Sequence, residues 1–233
     1  MDWLFDFFQN VLNFDLRLVY AYRSIYLQGA WNTLQITFIS VIIGTILGVI
    51  IGLARLSSFK ILRGITLTFI DVFRGTPLLV QILIIHSALL PTIFGSSQGV
   101  WVSGIVALSL NSAAYVAEIF RAGIQSLDKG QMEASRSLGM TYWQATWNII
   151  LPQAFKRMLP PLGNETIMLL KDSSLLMVIS FKDIMYAGKT VQGATFKAWE
   201  AYLPVAVIYL IMTLVLARFV RYLEKRYSTE GVK

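Results

Sequence analysis

The sequence predicts an all-α integral membrane protein of five transmembrane helices, N-terminus outside and C-terminus inside, on three grounds. Hydrophobic residues make up 56% of the 233 and charged residues only 14%, too apolar a balance for a soluble domain of this size. The apolar residues gather into five runs, each long enough as helix to cross about 30 Å of hydrocarbon. The basic residues concentrate at one set of run ends, as the positive-inside rule requires. The net charge of +7 is spread over loops and helix ends, without the single basic face that phosphate tracking needs, so lipid is an expected partner and nucleic acid is not.

Residues 1–28 set Trp3, Phe5, Phe7, Phe8 and Phe14 among Asp2, Asp6, Asn10, Asn13 and Arg17. That pattern reads as an amphipathic interfacial helix; a signal peptide would open with basic residues. Residues 29–227 form one membrane domain, followed by a short tail, 228–233. The first span, Trp31 to Leu53, repeats Ser40, Gly44, Gly48 and Gly52 every four residues, a small-residue stripe that lets another helix backbone approach. Further spans run from Ile61 to Leu90, Val100 to Ile124, Leu159 to Phe181 and Tyr202 to Tyr222. Arg55, Lys60 and Arg63 follow the first span, Lys129, Arg136, Lys156 and Arg157 the third, and Arg218, Arg221, Lys225, Arg226 and Lys233 the fifth. Pro91 to Gly99 carries no charge, which places that loop outside. Lys182 to Glu200 is assigned outside as well, although its lysines outnumber its acids.

Between spans three and four, residues 128–158 are polar and predict a helix pair. Asp128 and Gln131 suit the N-cap and N3 positions of one helix, Gly139 can end it in the left-handed conformation, and Thr141 with Gln144 repeats the capping-box pattern. Pro152 predicts the end of the second helix.

Ionisable and amide side chains at membrane depth are costly and therefore informative. At about 1.5 Å per residue, Asp71, Asn111, Lys171 and Asp172 all fall near the bilayer midplane. Asn111, Tyr115 and Glu118 share one helical stripe; Glu165 and Asp172 share a face of span four, with Asn164 and Lys171 on the adjacent one. A zwitterion bound here needs a donor-rich pole, for which the planar guanidinium of Arg74 is suited, and an acceptor-rich pole supplied by Asp71, Glu165 or Asp172. Thr76-Pro77 can restart a half-helix whose amides add positive potential. Simple neutralisation within the pairs Asp71–Arg74, Lys171–Asp172 and Glu118–Arg121 is the competing reading; for the last it is preferred.

Glu133-Ala134-Ser135, then Gly139, then Ile149, Leu151 and Pro152 resembles the signature of the membrane subunits of ABC importers, with Ser135 as the one departure. Arg74 to Leu79, Asn111-Ser112-Ala113-Ala114-Tyr115 through Glu118, and Leu162-Gly163-Asn164-Glu165 resemble the polar amino-acid permeases of that group. The resemblance implies a permease moving a polar amino acid by alternating access. It also implies coupling to a separate dimeric ATPase through Glu133, Ala134, Ser135, Leu138, Gly139, Ile149, Leu151 and Pro152. Its other implied partners are a second permease chain, identical or similar, and an extracytoplasmic amino-acid-binding protein. Substrate contacts are expected from Asp71, Arg74, Asn111, Ser112, Tyr115, Asn164, Glu165, Lys171 and Asp172. No glycine-rich phosphate loop occurs, so the chain is expected to bind no cofactor, with ATP and Mg used by the partner. With no cysteine and a single histidine, His86, metal binding and catalysis are not expected. An ion-coupled secondary transporter and a non-transporting membrane scaffold are the alternatives, and neither accounts for the spacing around Glu133.

Overall fold

The computed structural model describes residues 14–227. Most of the predicted amphipathic N-terminal segment, at 1–13, and the tail at 228–233 lie outside the described residues. The described chain is helical throughout. In order it forms α1 (Leu16–Ala21), α2 (Arg23–Arg55), α3 (Lys60–Gly75), α4 (Leu78–Ile84), α5 (Leu90–Phe94), α6 (Gly99–Gln125), α7 (Lys129–Ser137), α8 (Tyr142–Ala145), α9 (Leu151–Asp172), α10 (Ile184–Thr195) and α11 (Ala198–Tyr227). Wider π turns at Ile85–Leu89 and Thr146–Ile150 join α4 to α5 and α8 to α9, and a 3₁₀ segment, Ser173–Ile179, extends α9.

The helices α2, α6 and α11 are each long and apolar enough to cross a membrane, and the bent pair formed by α3 with α4–α5 is a fourth candidate. The first of these begins at Arg23, a full two turns before the predicted Trp31, because α1 ends at Tyr22 and leaves 23–30 free to continue the helix. α9 has the length of a span but carries Glu165, Lys171 and Asp172 within it.

The pairing of α2 with α6 is the main packing contact, and the small-residue stripe makes it. A Cβ added at Gly44 would lie 2.8 Å from Ser112 Cβ, one at Gly48 2.5 Å from Val116 Cβ, and one at Gly52 3.0 Å from Phe120 Cδ1. Three glycines spaced by four thus meet three α6 side chains spaced by four, which is close backbone approach of the kind lipid cannot supply. α9 then runs antiparallel to α6: Gly123 faces Met158, Ser112 lies beside Glu165, and Gly104 faces Leu176. On its other side α9 receives Val220 of α11 at Gly163. One apolar cluster, including Ile36, Ile82, Leu108, Leu176 and Phe181, fills the end of the bundle near the start of α6. A second, built on Phe120, Leu127, Ile150, Ala154 and Met158, fills the opposite end.

The predicted second span is broken. α3 and α4 meet at 110°, with Thr76 and Pro77 both extended. Proline bars the residue before it from helical geometry, which ends α3. The carbonyls released by the break are taken up by Gln81, whose Nε2 donates to Phe73 O at 2.8 Å, Thr76 O at 3.0 Å and Thr76 Oγ1 at 2.9 Å. Both ends of α3 lie at one end of the bundle. Lys60 follows the end of α2 by five residues, and Arg74 reaches Glu118, which also pairs with Arg55 at the last position of α2. Hence α3 lies across the bundle, and only α4–α5 climbs it. This corrects the midplane placement of Asp71, which assumed one straight helix from Ile61, and takes Arg74 out of the same layer.

Pro152 does not end a helix as the sequence suggested. It occupies the first turn of α9, where a missing N–H costs little, and the π turn just ahead of it gives the ring room. Gln153 Nε2 donates to Ile149 O at 3.0 Å, filling one carbonyl near the junction. Outside the spanning helices, Asp183 caps α10 by accepting from Tyr186 N at 2.7 Å. Burial pushes its carboxyl up to about 6, despite the donors around it.

Candidate functional site

Two sets of residues carry the chemistry: a helix pair held beyond the bundle and a polar layer within it.

The helix pair forms as its caps require. Asp128 is the N-cap of α7 and accepts from Gly130 N at 2.9 Å; among the described residues the Gln131 side chain makes no reciprocal bond. Gly139 has φ of +85°, the left-handed conformation that lets the chain turn after Leu138. Thr141 and Gln144 form both halves of a capping box, at 2.8 and 3.2 Å. Ser135 is buried and donates to Gln131 O at 2.7 Å, so a serine stands where the resemblance leads one to expect alanine without an unsatisfied hydroxyl. Glu133, Ala134, Gly139 and Pro152 are exposed, Ile149 and Leu151 are half-buried, and Leu138 is 84% exposed. A leucine left that open at the tip of a capped turn is covered by nothing in its own chain.

In the bundle, Asn111, Ser112 and Glu165 come together at one depth. Glu165 is 8% exposed, with the Ser112 hydroxyl as its hydrogen-bonding neighbour and Asp172 and Arg74 within electrostatic range. Asn111 is buried and donates to Gln81 Oε1 at 2.9 Å, which ties α6 to the break after α3. Its amide nitrogen is therefore engaged in holding the broken span. Gln81 was not singled out from the sequence. The available signal was an amide in an otherwise apolar stretch, one turn after Thr76-Pro77. Asn164 and Lys171 are exposed, and Asp172 is half-buried beside Lys171.

Arg74 lies below this layer. Its guanidinium sits 5.3 Å from the Tyr115 ring centroid and 3.8 Å from Glu118 Oε2, with the side chain 42% exposed. The Asp71–Arg74 pair of the competing reading does not form among the described residues; the transverse course of α3 turns Arg74 towards α6 instead. Glu118, 16% exposed, is the hub of three arginines on three helices. It pairs with Arg55, with Arg74, and with Arg121 through Nη2 at 2.9 Å and Nε at 3.1 Å. The preferred structural role for Glu118 and Arg121 thus extends to Arg55, which the sequence offered only as a loop charge. Removing a shielded carboxylate from among three cations leaves them repelling one another, so Glu118→Gln is expected to cost about 3–5 kcal/mol. That loss is readable as a marked fall in Tm of the solubilised protein, partly restored by Arg55→Gln in the same chain.

A bundle of long apolar helices with a polar layer inside it, and a capped turn presented beyond it, defines a membrane permease. The family described as binding-protein-dependent transport system inner membrane component matches residues 44–229, and the chain belongs to that family. It is 38% identical over 216 residues to the glutamine transport system permease protein GlnP of Escherichia coli (strain K12), covering 92% of this chain and 98% of that one. It is 38% identical over 218 residues to the arginine transport system permease protein ArtQ of Bacillus subtilis (strain 168), covering 94% and 99%. Among solved structures, an amino acid ABC transporter crystallised with histidines has a chain 42% identical to this one, with a TM-score of 0.86 over 91% of this chain and 99% of its own. The MetNI methionine ABC transporter shares the fold, with a TM-score of 0.76 over 88% of this chain and 97% of its own at 20% identity. The chain is a membrane permease subunit of an ATP-driven importer and resides in the inner membrane.

Proposed function

We propose that this subunit moves a polar L-amino acid inward through the layer around Glu165, with a basic side chain such as that of arginine suited to its acidic groups. The observation that carries this reading is the opposition of charges across the layer. A buried carboxylate, Glu165, stands beside Ser112 and Asp172, with the half-exposed guanidinium of Arg74 in electrostatic range. A zwitterion needs both poles in one chamber, and fixed charges in a low-dielectric site attract far more strongly than in water. Relatives named for glutamine and arginine transport support the substrate class. Tyr115 holds Arg74 by its ring, Asn164 and Lys171 supply further polar surface, and Asn111 keeps the α3–α4 break open beneath the layer.

The remaining assignments belong to the same proposal. α9 with its 3₁₀ extension is the fifth span, beside α2, α4–α5, α6 and α11, which puts the N-terminus outside and the C-terminus inside. The permease domain carries its coupling segment at 128–158 and extends to 227, its first span reaching back to Arg23 inside the stretch expected to be interfacial. The turn around Glu133, Leu138 and Gly139 enters a groove on a dimeric ATPase, where ATP and Mg are bound by the partner and none by this chain. A second permease chain completes the pathway, and an extracytoplasmic amino-acid-binding protein delivers substrate. Alternating access follows from closure of the ATPase dimer, carried into α6 and α9 on either side of the helix pair.

Glu165→Gln tests the substrate site. In sealed vesicles it is expected to lower uptake of arginine at least tenfold, about 1.4 kcal/mol, while uptake of glutamine falls less. Equal arginine uptake by wild type and variant removes Glu165 from the site.

A further inference from the structure

α3 carries three kinds of surface. Thr66 and Ile70 are buried against the bundle. Ile61, Ile65 and Val72 are 66%, 64% and 53% exposed. At about 100° per residue these three fall within about 40° of one another, on a different side from the buried pair. Leu62 and Phe69 lie between the two lines, so one half of the helix is apolar although the bundle covers only part of it. Lys60, Arg63, Asp71 and Arg74 share the other half, within about 80° of arc. Because α3 lies across the Arg55 end of the bundle, this division runs parallel to a membrane surface. A helix so placed, apolar on one half and basic at the edge of the other, seats itself between headgroups and acyl chains.

Two observations say what covers the ridge. The uncovered side of α2 at Ile46, Ile50 and Leu53 is continued after the end of that helix by Phe59, also uncovered, and then by Ile61 and Ile65. The ridge thus prolongs the apolar surface of a spanning helix. Charge is the second. Among the described residues Lys60 and Arg63 enter no ion pair, and Asp71, two turns from Arg63, lies within electrostatic range of Arg55 instead. We infer that α3 is an in-plane anchor for anionic phospholipid of the inner leaflet, with Ile61, Ile65 and Val72 among the acyl chains and Lys60 and Arg63 at the headgroup phosphates. Neutral lipid would cover the ridge but leave the two cations without counter-charge. The inference rests on the orientation proposed above, which puts the Arg55 end at the cytoplasmic face, and goes further by giving α3 a ligand of its own. It also gives the Glu118 hub a footing, since the helix held in the leaflet ends at Arg74, one of the three arginines there.

The chain has no cysteine, so Ile65→Cys and Asp71→Cys can each carry a single nitrobenzoxadiazole label. Each is reconstituted with the ATPase in vesicles of phosphatidylcholine and phosphatidylglycerol, with bromine on the acyl chains of one lipid or the other. The label at 65 is expected to be quenched by brominated chains and the label at 71 to be left bright. At equal mole fraction, brominated phosphatidylglycerol should quench the label at 65 at least about twofold more than brominated phosphatidylcholine. That excess should vanish when Lys60→Gln and Arg63→Gln are added, and shrink at high salt. No quenching at 65, equal quenching at 65 and 71, an equal response to the two lipids, or an excess that survives the two glutamines would each overturn the inference. Quenching at 65 only when the ATPase is left out would put the ATPase on the ridge and overturn it too. The fluorescence needs no transport. Vesicles that import neither arginine nor glutamine would therefore sink the importer reading, while the quenching still decides the lipid site.

Discussion

Gly139→Asp is expected to abolish ATP-driven uptake while leaving the protein folded and at its normal level in the membrane. The two halves of that outcome have separate physical causes. Within the chain the substitution is mild: a Cβ at Gly139 meets nothing within 4 Å, and aspartate is among the residues that tolerate φ near the observed +85°. The cost to the fold is about 1–2 kcal/mol, confined to a turn already stabilised by the Thr141–Gln144 capping box. Outside the chain it is severe. The new carboxylate stands beside Leu138, whose 84% exposure marks the tip that must be desolvated on docking, and an unpaired charge in such a contact is strongly unfavourable. Uptake below a tenth of wild type, with normal membrane content and a fall in Tm of only a few degrees, is the expected pair of readings. Gly139→Ala, which adds no charge, should retain more uptake than Gly139→Asp; equal loss in both would shift the cause to the turn itself.

Gly48→Val is expected to lower stability strongly. Even a single added carbon at Gly48 would sit 2.5 Å from Val116 Cβ and 2.9 Å from Ala113 O. Val116 is stiff about χ1 and the carbonyl is part of the α6 backbone, so neither yields without moving the helix. Overpacking of this sort costs about 1–3 kcal/mol where neighbours can adjust, and here two helices would have to separate along the seam from Gly44 to Gly52. Lower membrane content and a reduced Tm are the expected readings. Val116→Ala should restore part of the loss but not all, because the Ala113 carbonyl remains. Gly64→Ala, on the uncovered part of α3 with nothing within 4 Å of the added carbon, serves as the neutral comparison. It should match wild type or gain about 0.5–1 kcal/mol from higher helix propensity.

Much of this molecule can be read from residue spacing, and what cannot shares a cause. The four-residue rhythm of Ser40, Gly44, Gly48 and Gly52 announces a close helix contact because nothing but small residues permits one; its partner stripe, Ser112, Val116 and Phe120, has ordinary composition and stays silent. The caps at Asp128, Gly139 and Thr141 are local devices, set by residues within four positions of one another, and they form where the sequence places them. Depth is another matter. Counted along straight helices it puts Asp71 near the midplane, whereas the break at Thr76-Pro77 lays α3 across the Arg55 end of the bundle. The dipeptide pointed to a restarted helix, but the 110° turn depends on Gln81 and Asn111 filling the freed carbonyls, a contact between residues thirty positions apart. The same reason hid the hub at Glu118. Arg121 is one turn away and visible; Arg55 and Arg74 arrive from other helices. Pro152 misled for a different reason, since a proline in the first turn of a helix and one that stops a helix look alike until the π turn before it is known.

This chain is expected to conduct substrate only when a partner hydrolyses ATP. The direct measurement is uptake of labelled arginine and glutamine by sealed vesicles holding this chain and its ATPase, with loaded binding protein outside and ATP either present inside or replaced by a non-hydrolysable analogue. No ion gradient is imposed in these two arms; the analogue arm is then repeated with a proton or sodium gradient. Uptake with ATP and none with the analogue is the predicted result. Uptake in the analogue arm once a proton or sodium gradient is applied, or in vesicles lacking the ATPase, would contradict it and identify an ion-coupled carrier instead.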